Sequence, residues 1–155
     1  MSTKTEVYNK NRRRTLINLA AGFAVWWGTI TLTSIFPDIR ELTWLHMSLI
    51  TLGLIGCVYW LIHLIRMQKV TKELKENPEL SMALNDEFYQ HIRFKSFTFA
   101  FFIMLLLQAL LIIVNVFVSL SSASVLNINI LAGVVTPIVT FLVLESGQDC
   151  EESQA

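Results

Sequence analysis

Residues 96–144 read SFTFAFFIMLLLQALLIIVNVFVSLSSASVLNINILAGVVTPIVTFLVL, 49 residues without one Asp, Glu, Lys or Arg. As one helix this stretch would be about 74 Å long, roughly twice a bilayer. It must therefore fold back. The polar cluster Ser119, Ser121, Ser122, Ser124, Asn127 and Asn129 is the natural place for the turn. Two spans follow, near 97–120 and near 127–144. Pro137 removes a backbone donor inside the second and is expected to kink it. A short second segment with Asn129, Thr136 and Thr140 also leaves a re-entrant or interfacial course open.

Two more charge-free blocks precede this one, at 15–37 and 42–65. They predict spans over about 16–36, closed by Pro37-Asp38, and about 43–65, closed by Arg66. The 12 basic and 12 acidic residues all lie outside the three blocks. Apolar residues make up 54% of the 155 and charged ones 15%. A soluble domain carries about 25% charge, and so short a chain has no interior large enough for these blocks. A lipid bilayer does take them. The expected fold is all-α, a single integral membrane domain over 1–155: a four-transmembrane-helix bundle with a helical cytoplasmic connector at 66–95.

Orientation follows from Lys and Arg in the short flanks. Lys4, Lys10, Arg12, Arg13 and Arg14 precede the first span, and Arg66, Lys69, Lys72, Lys75, Arg93 and Lys95 lie between the second and third. The first loop has only Arg40 and the third has none. Both termini are therefore expected in the cytoplasm. Arg13-Arg14 resembles a twin-arginine export signal. The apolar stretch behind it is too long for a signal core, and no A-x-A site follows, so a topological anchor is the simpler reading.

The connector carries its own pattern. Arg66–Lys75 should continue the second span as helix, with Lys69/Glu73 and Lys72/Glu76 four apart. Asn77-Pro78-Glu79 reads as a helix start. Leu80, Leu84, Phe88 and Ile92 then recur every four residues, an amphipathic stripe running into the third span. That stripe would bury against the bundle itself, against lipid headgroups, or against a cytoplasmic protein partner, which makes the four residues the candidate docking surface.

Within this segment Asp86-Glu87, then Ile92, then Lys95-Ser96 at the edge of an apolar span resemble a family of small four-span prokaryotic membrane proteins of unknown function. Asn77-Pro78-Glu79-Leu80 with Ala83-Leu84-Asn85 is similar to connectors of other such proteins. Phe88 stands where the family usually has arginine, and the resemblance covers only the connector. It implies the plasma (inner) membrane of a prokaryote and a regulatory role, since such families sit beside helix-turn-helix regulators. It supplies no catalytic residues.

The remaining chemistry is sparse. Cys57 lies in a span and Cys150 in the tail, with no C-x-x-C. His46 and His63 are about 25 Å apart on one helix, and His91 is in the connector, so spacing makes no metal or haem site. His63 is expected to reach towards the interface. No nucleotide loop, Ser/His/Asp set or zinc motif is present, and the basic N-terminus suits anionic lipid better than nucleic acid. The expectation is no enzyme, no cofactor and no nucleic acid. No charge falls within a predicted span, which disfavours ion-coupled transport.

Uncharged polarity inside the spans is patterned. Gln108 and Asn115 are seven apart in the third span, and Asn129 and Thr136 seven apart in the fourth. Asn18, Gly22, Thr29 and Thr33 share one side of the first. Such faces serve helix packing within one chain or a homo-oligomer, or else line a solute path. Trp26 and Trp27 lie mid-span and suit a helix contact; Trp44, Tyr59 and Trp60 suit the interfacial belts. Two functional classes remain: a non-enzymatic regulatory or accessory protein acting through the connector, and a small oligomeric channel or transporter subunit for an uncharged solute.

Overall fold

The computed structural model describes residues 3–77 and 87–152. Helix α1 covers Thr3–Ile35, a short 3-10 turn Pro37–Arg40, α2 Thr43–Glu76, α3 Glu87–Phe117 and α4 Ser122–Glu152. Every regular element among the described residues is helical, and all four helices are long and apolar enough to cross a bilayer. The chain is an all-α, four-helix, multi-pass membrane protein. Its polar connector ends are continuous with the spans: α2 runs on to Glu76, and α3 is already helical at Glu87.

The fourth span is a full helix. It begins at Ser122, five residues before the expected start, and passes through Pro137 without a break. The earlier start has a local cause. Ser121 Oγ accepts the Ser124 N–H at 3.1 Å, and Val125 N–H bonds the Ser121 carbonyl at 3.1 Å. Ser121 is thus an N-cap serving the third residue of the helix. On the other side of the turn, Asn115 Oδ1 accepts the Leu120 N–H at 3.0 Å. The polar cluster closes the turn through side-chain caps, so few residues are spent on loop. The carbonyl freed at Pro137 is tolerated because neighbouring helices and polar side chains can serve it.

The helices pack in the spatial order α2, α1, α4, α3; α2 and α3 share no comparable interface. The middle place of α1 follows from its two faces. Towards α2 the backbones approach closely because glycine occupies the seam. A Cβ on Gly22 would lie 2.9 Å from Trp60 N, one on Gly56 2.8 Å from Trp26 N, and one on Gly53 2.6 Å from Thr29 Oγ1. Each step forward along α1 matches an equal step back along α2, an antiparallel register. Beside this seam Phe23, Trp26, Trp27 and Trp60 form one aromatic cluster, with Phe23 and Trp27 stacked at 5.6 Å and Trp26 and Trp60 centred 5.2 Å apart. Trp60 therefore belongs to the contact between α1 and α2. Trp44, at the start of α2, is 71% exposed.

Towards α4, α1 is held by polar bonds near mid-span and at one end. Trp27 Nε1 donates to the Asn127 carbonyl at 3.2 Å, and Ser124 Oγ to the Ser34 carbonyl at 2.8 Å. The threonines of α1 mostly close on their own helix: Thr29, Thr31 and Thr33 donate to carbonyls three or four residues back. Such local bonds satisfy a hydroxyl in hydrocarbon without a neighbour.

Candidate functional site at the charged end of the bundle

The end of the bundle that holds the start of α1 and the finish of α4 is where polar groups gather. Arg12 sits one turn before the uncharged part of α1, and Glu145 follows the last apolar residue of α4. The antiparallel packing of α1 on α4 brings them together. An Arg12 Nη–H donates to Glu145 Oε1, with the two side chains only 8% and 10% exposed. The Arg12 guanidinium carbon also lies 5.6 Å from the centre of the Phe141 ring, one turn earlier on α4. A charge with so little water needs a partner, and this pair with a ring face against the cation supplies one. Glu145 Oε2 is buried and takes no hydrogen bond from the described residues.

The same end of α1 is tied to α2. Tyr8 Oη donates to the Val70 carbonyl at 2.9 Å, one turn beyond Arg66. Between this tie and the aromatic cluster sits His63, 4% exposed, its ring 4.6 Å from that of Tyr59. The expected reach of His63 towards the interface is not what occurs. Counting back along α2 in steps of three and four, His63, Trp60, Gly56 and Gly53 share the α1-facing seam, so the imidazole is drawn inward. Its Nδ1 is buried without a hydrogen-bond partner among the described residues. The surface pair Lys72–Glu76, at 3.8 Å and largely exposed, has little energetic weight.

The stripe proposed for docking is only partly in view. Leu80 and Leu84 lie outside the described residues, and Phe88 is in α3 with its side chain outside them. Ile92 is 4% exposed, on the same face of α3 as buried Ser96 and Ala100, so that end of the stripe is packed within the chain. The intramembrane polar residues do not meet. Gln108 and Asn115 are exposed on α3, and Asn115 spends its carbonyl on the turn. Asn129 and Thr136 are half-buried on α4. Asn129 Oδ1 is buried with no hydrogen bond from the described residues. A groove of about 480 Å³ opens between the far halves of α1 and α2, with Thr29, Thr33 and His46 among its walls.

Arg12, Glu145 and Tyr8 are the functional candidates that sequence reading passed over. Arg12 served there as one of five topological cations and Glu145 as a tail acid. One signal was available: opposite charges within one turn of two spans that end on the same side of the membrane. Both residues lie on helices long and apolar enough to cross a bilayer, at the flanks of the charge-free stretches 15–37 and 96–144. No protein-family model, curated protein or solved structure matches this chain.

Proposed function

We propose that this is a non-enzymatic regulatory or accessory membrane protein that acts through its cytoplasmic end, in the plasma (inner) membrane of a prokaryote with both termini inside. One observation carries the reading: the charged end is mechanically linked. Arg12–Glu145 joins α1 to α4, Tyr8–Val70 joins α1 to α2, and α2 leaves the bilayer as unbroken helix towards the connector. A displacement of any of these three spans reaches the connector without passing through a flexible hinge. The excess of Lys and Arg on this end favours the cytoplasmic side. The resemblance of the connector to that of small four-span prokaryotic proteins supports the same role.

The test is purification in mild detergent from native membranes, comparing wild type with Leu84→Asp and Phe88→Asp. A charge on a docking face lacks a partner and opposes association. The expected result is a reproducible co-purifying protein that both variants lose while they still insert and fold. Wild-type protein that repeatedly co-purifies with nothing would overturn the reading, as would variants that lose the fold along with the partner.

A further inference from the structure

We propose that two copies of this chain associate through α3, with Gln108 hydrogen-bonded to the partner's Gln108 in the middle of the bilayer. Helix α3 packs closely on α4 alone and turns Ile92, Ser96, Ala100 and Leu111 towards the interior. About a third of a turn round the helix from that face on average, with Gln108 and Asn115 nearest to it, lie Phe101, Leu105, Gln108, Ile112 and Asn115, spaced 4, 3, 4 and 3. All five are exposed, Phe101 by 59%, Leu105 by 50% and Ile112 by 69%. A seven-residue repeat of this kind keeps one seam facing a partner helix along its length.

Gln108 decides what the partner is. It lies near the centre of the apolar run 97–120, about 17 Å from either end. Its carboxamide has two N–H donors and an acceptor oxygen, and it bonds to none of the described residues. Hydrocarbon offers no donor or acceptor at that depth, so an unpaired carboxamide there is costly. A second copy inserts in the same orientation and therefore presents its Gln108 at the same depth. A carboxamide is self-complementary across a two-fold axis along the membrane normal, donor to acceptor in both directions. Asn115, two turns on, keeps its amino group to donate across the same seam, since Oδ1 already accepts from Leu120. A single polar residue in an apolar heptad seam also fixes register, which suits one defined dimer.

The experiment uses the full chain with Cys57 and Cys150 replaced by alanine, purified and reconstituted in liposomes. Leu105→Cys and Ile112→Cys should form disulfide-linked dimers on mild oxidation. Phe102→Cys, 62% exposed but turned about 100° from Phe101, should not. Adding Gln108→Leu should weaken association about 3- to 10-fold by dilution of the protein in lipid, and Gln108→Asn should weaken it less. Helix content and thermal unfolding of the monomer should not change, because Gln108 makes no bond with the described residues. The proposal falls if Phe102→Cys cross-links as well as the seam positions. It also falls if no dimer forms in liposomes, or if dimerisation ignores Gln108→Leu. Cross-linking in native membranes to a product of another mass, with none in liposomes, would assign the seam to a different membrane protein.

Discussion

Replacing Arg12 by methionine removes the cation from a pair that is about nine-tenths buried on both sides and leaves the Glu145 carboxylate in place. Breaking a buried ion pair on one side costs about 3–5 kcal/mol, mostly as the penalty of the charge left behind. The pair flanks the uncharged stretches of α1 and α4 at one end of the bundle, so some water reaches the stranded carboxylate, and about 3 kcal/mol is the expected loss. Glu145→Leu should cost less, about 1–2 kcal/mol. The stranded Arg12 keeps the Phe141 ring, a contact of about 1 kcal/mol, and its long stem can carry the charge towards the surface. The double variant strands nothing and should lose no more than about 1 kcal/mol, so the two changes should couple by about 3–5 kcal/mol. Reversible unfolding in mixed micelles, run as a double-mutant cycle, measures this directly. Losses that add to within about 0.5 kcal/mol would refute the argument, because independent sites behave that way. An Arg12 variant no worse than the Glu145 variant would refute the part played by Phe141 and by side-chain reach.

The glycine seam makes a paired prediction in the same assay. Gly56→Ala, whose Cβ would come within 2.8 Å of the Trp26 backbone, should destabilise by about 1–3 kcal/mol, whereas Gly28→Ala, with open space around it, should be neutral or stabilise by up to about 1 kcal/mol. Ser121→Ala should remove the cap of α4 at a cost of about 1 kcal/mol, read as faster amide hydrogen exchange over 122–125 with little change at the far end of the helix. For orientation, in a background without Cys57 and Cys150, cysteines at residues 39 and 123 should react with an impermeant thiol reagent from outside and one at residue 80 only after the membrane is opened; labelling of residue 80 from outside would invert the topology.

The run from 96 to 144 already contained the fold class. Forty-nine uncharged residues can be hidden only in lipid, and lipid leaves the backbone no course but helix. Helix number, approximate ends and the position of each turn are consequences of length and charge, which are properties of the chain taken one segment at a time. The unbroken passage of α2 into the connector was legible for the same reason. Where the local reading erred, it misjudged what a polar residue was for. Ser121 and Asn115 looked like loop or packing residues because their hydrogen bonds depend on the turn geometry they help to create.

What only the tertiary structure decided is which helix lies beside which. Nothing in the order of spans says that α1 lies between α2 and α4, or that the described residues of α2 and α3 share no comparable interface. That choice rests on how closely two backbones can approach at Gly22, Gly53 and Gly56, and on the shape of the Phe23, Trp26, Trp27 and Trp60 cluster that fills the remaining space. Once it is made, Arg12 and Glu145, far apart in sequence and unremarkable in composition, become a buried pair, His63 turns inward, and Gln108 is left facing outward. Hydropathy is summed along a chain and assigns residues to lipid or water; pairing between helices is a matter of shape and register across the chain, and it assigns them to one another.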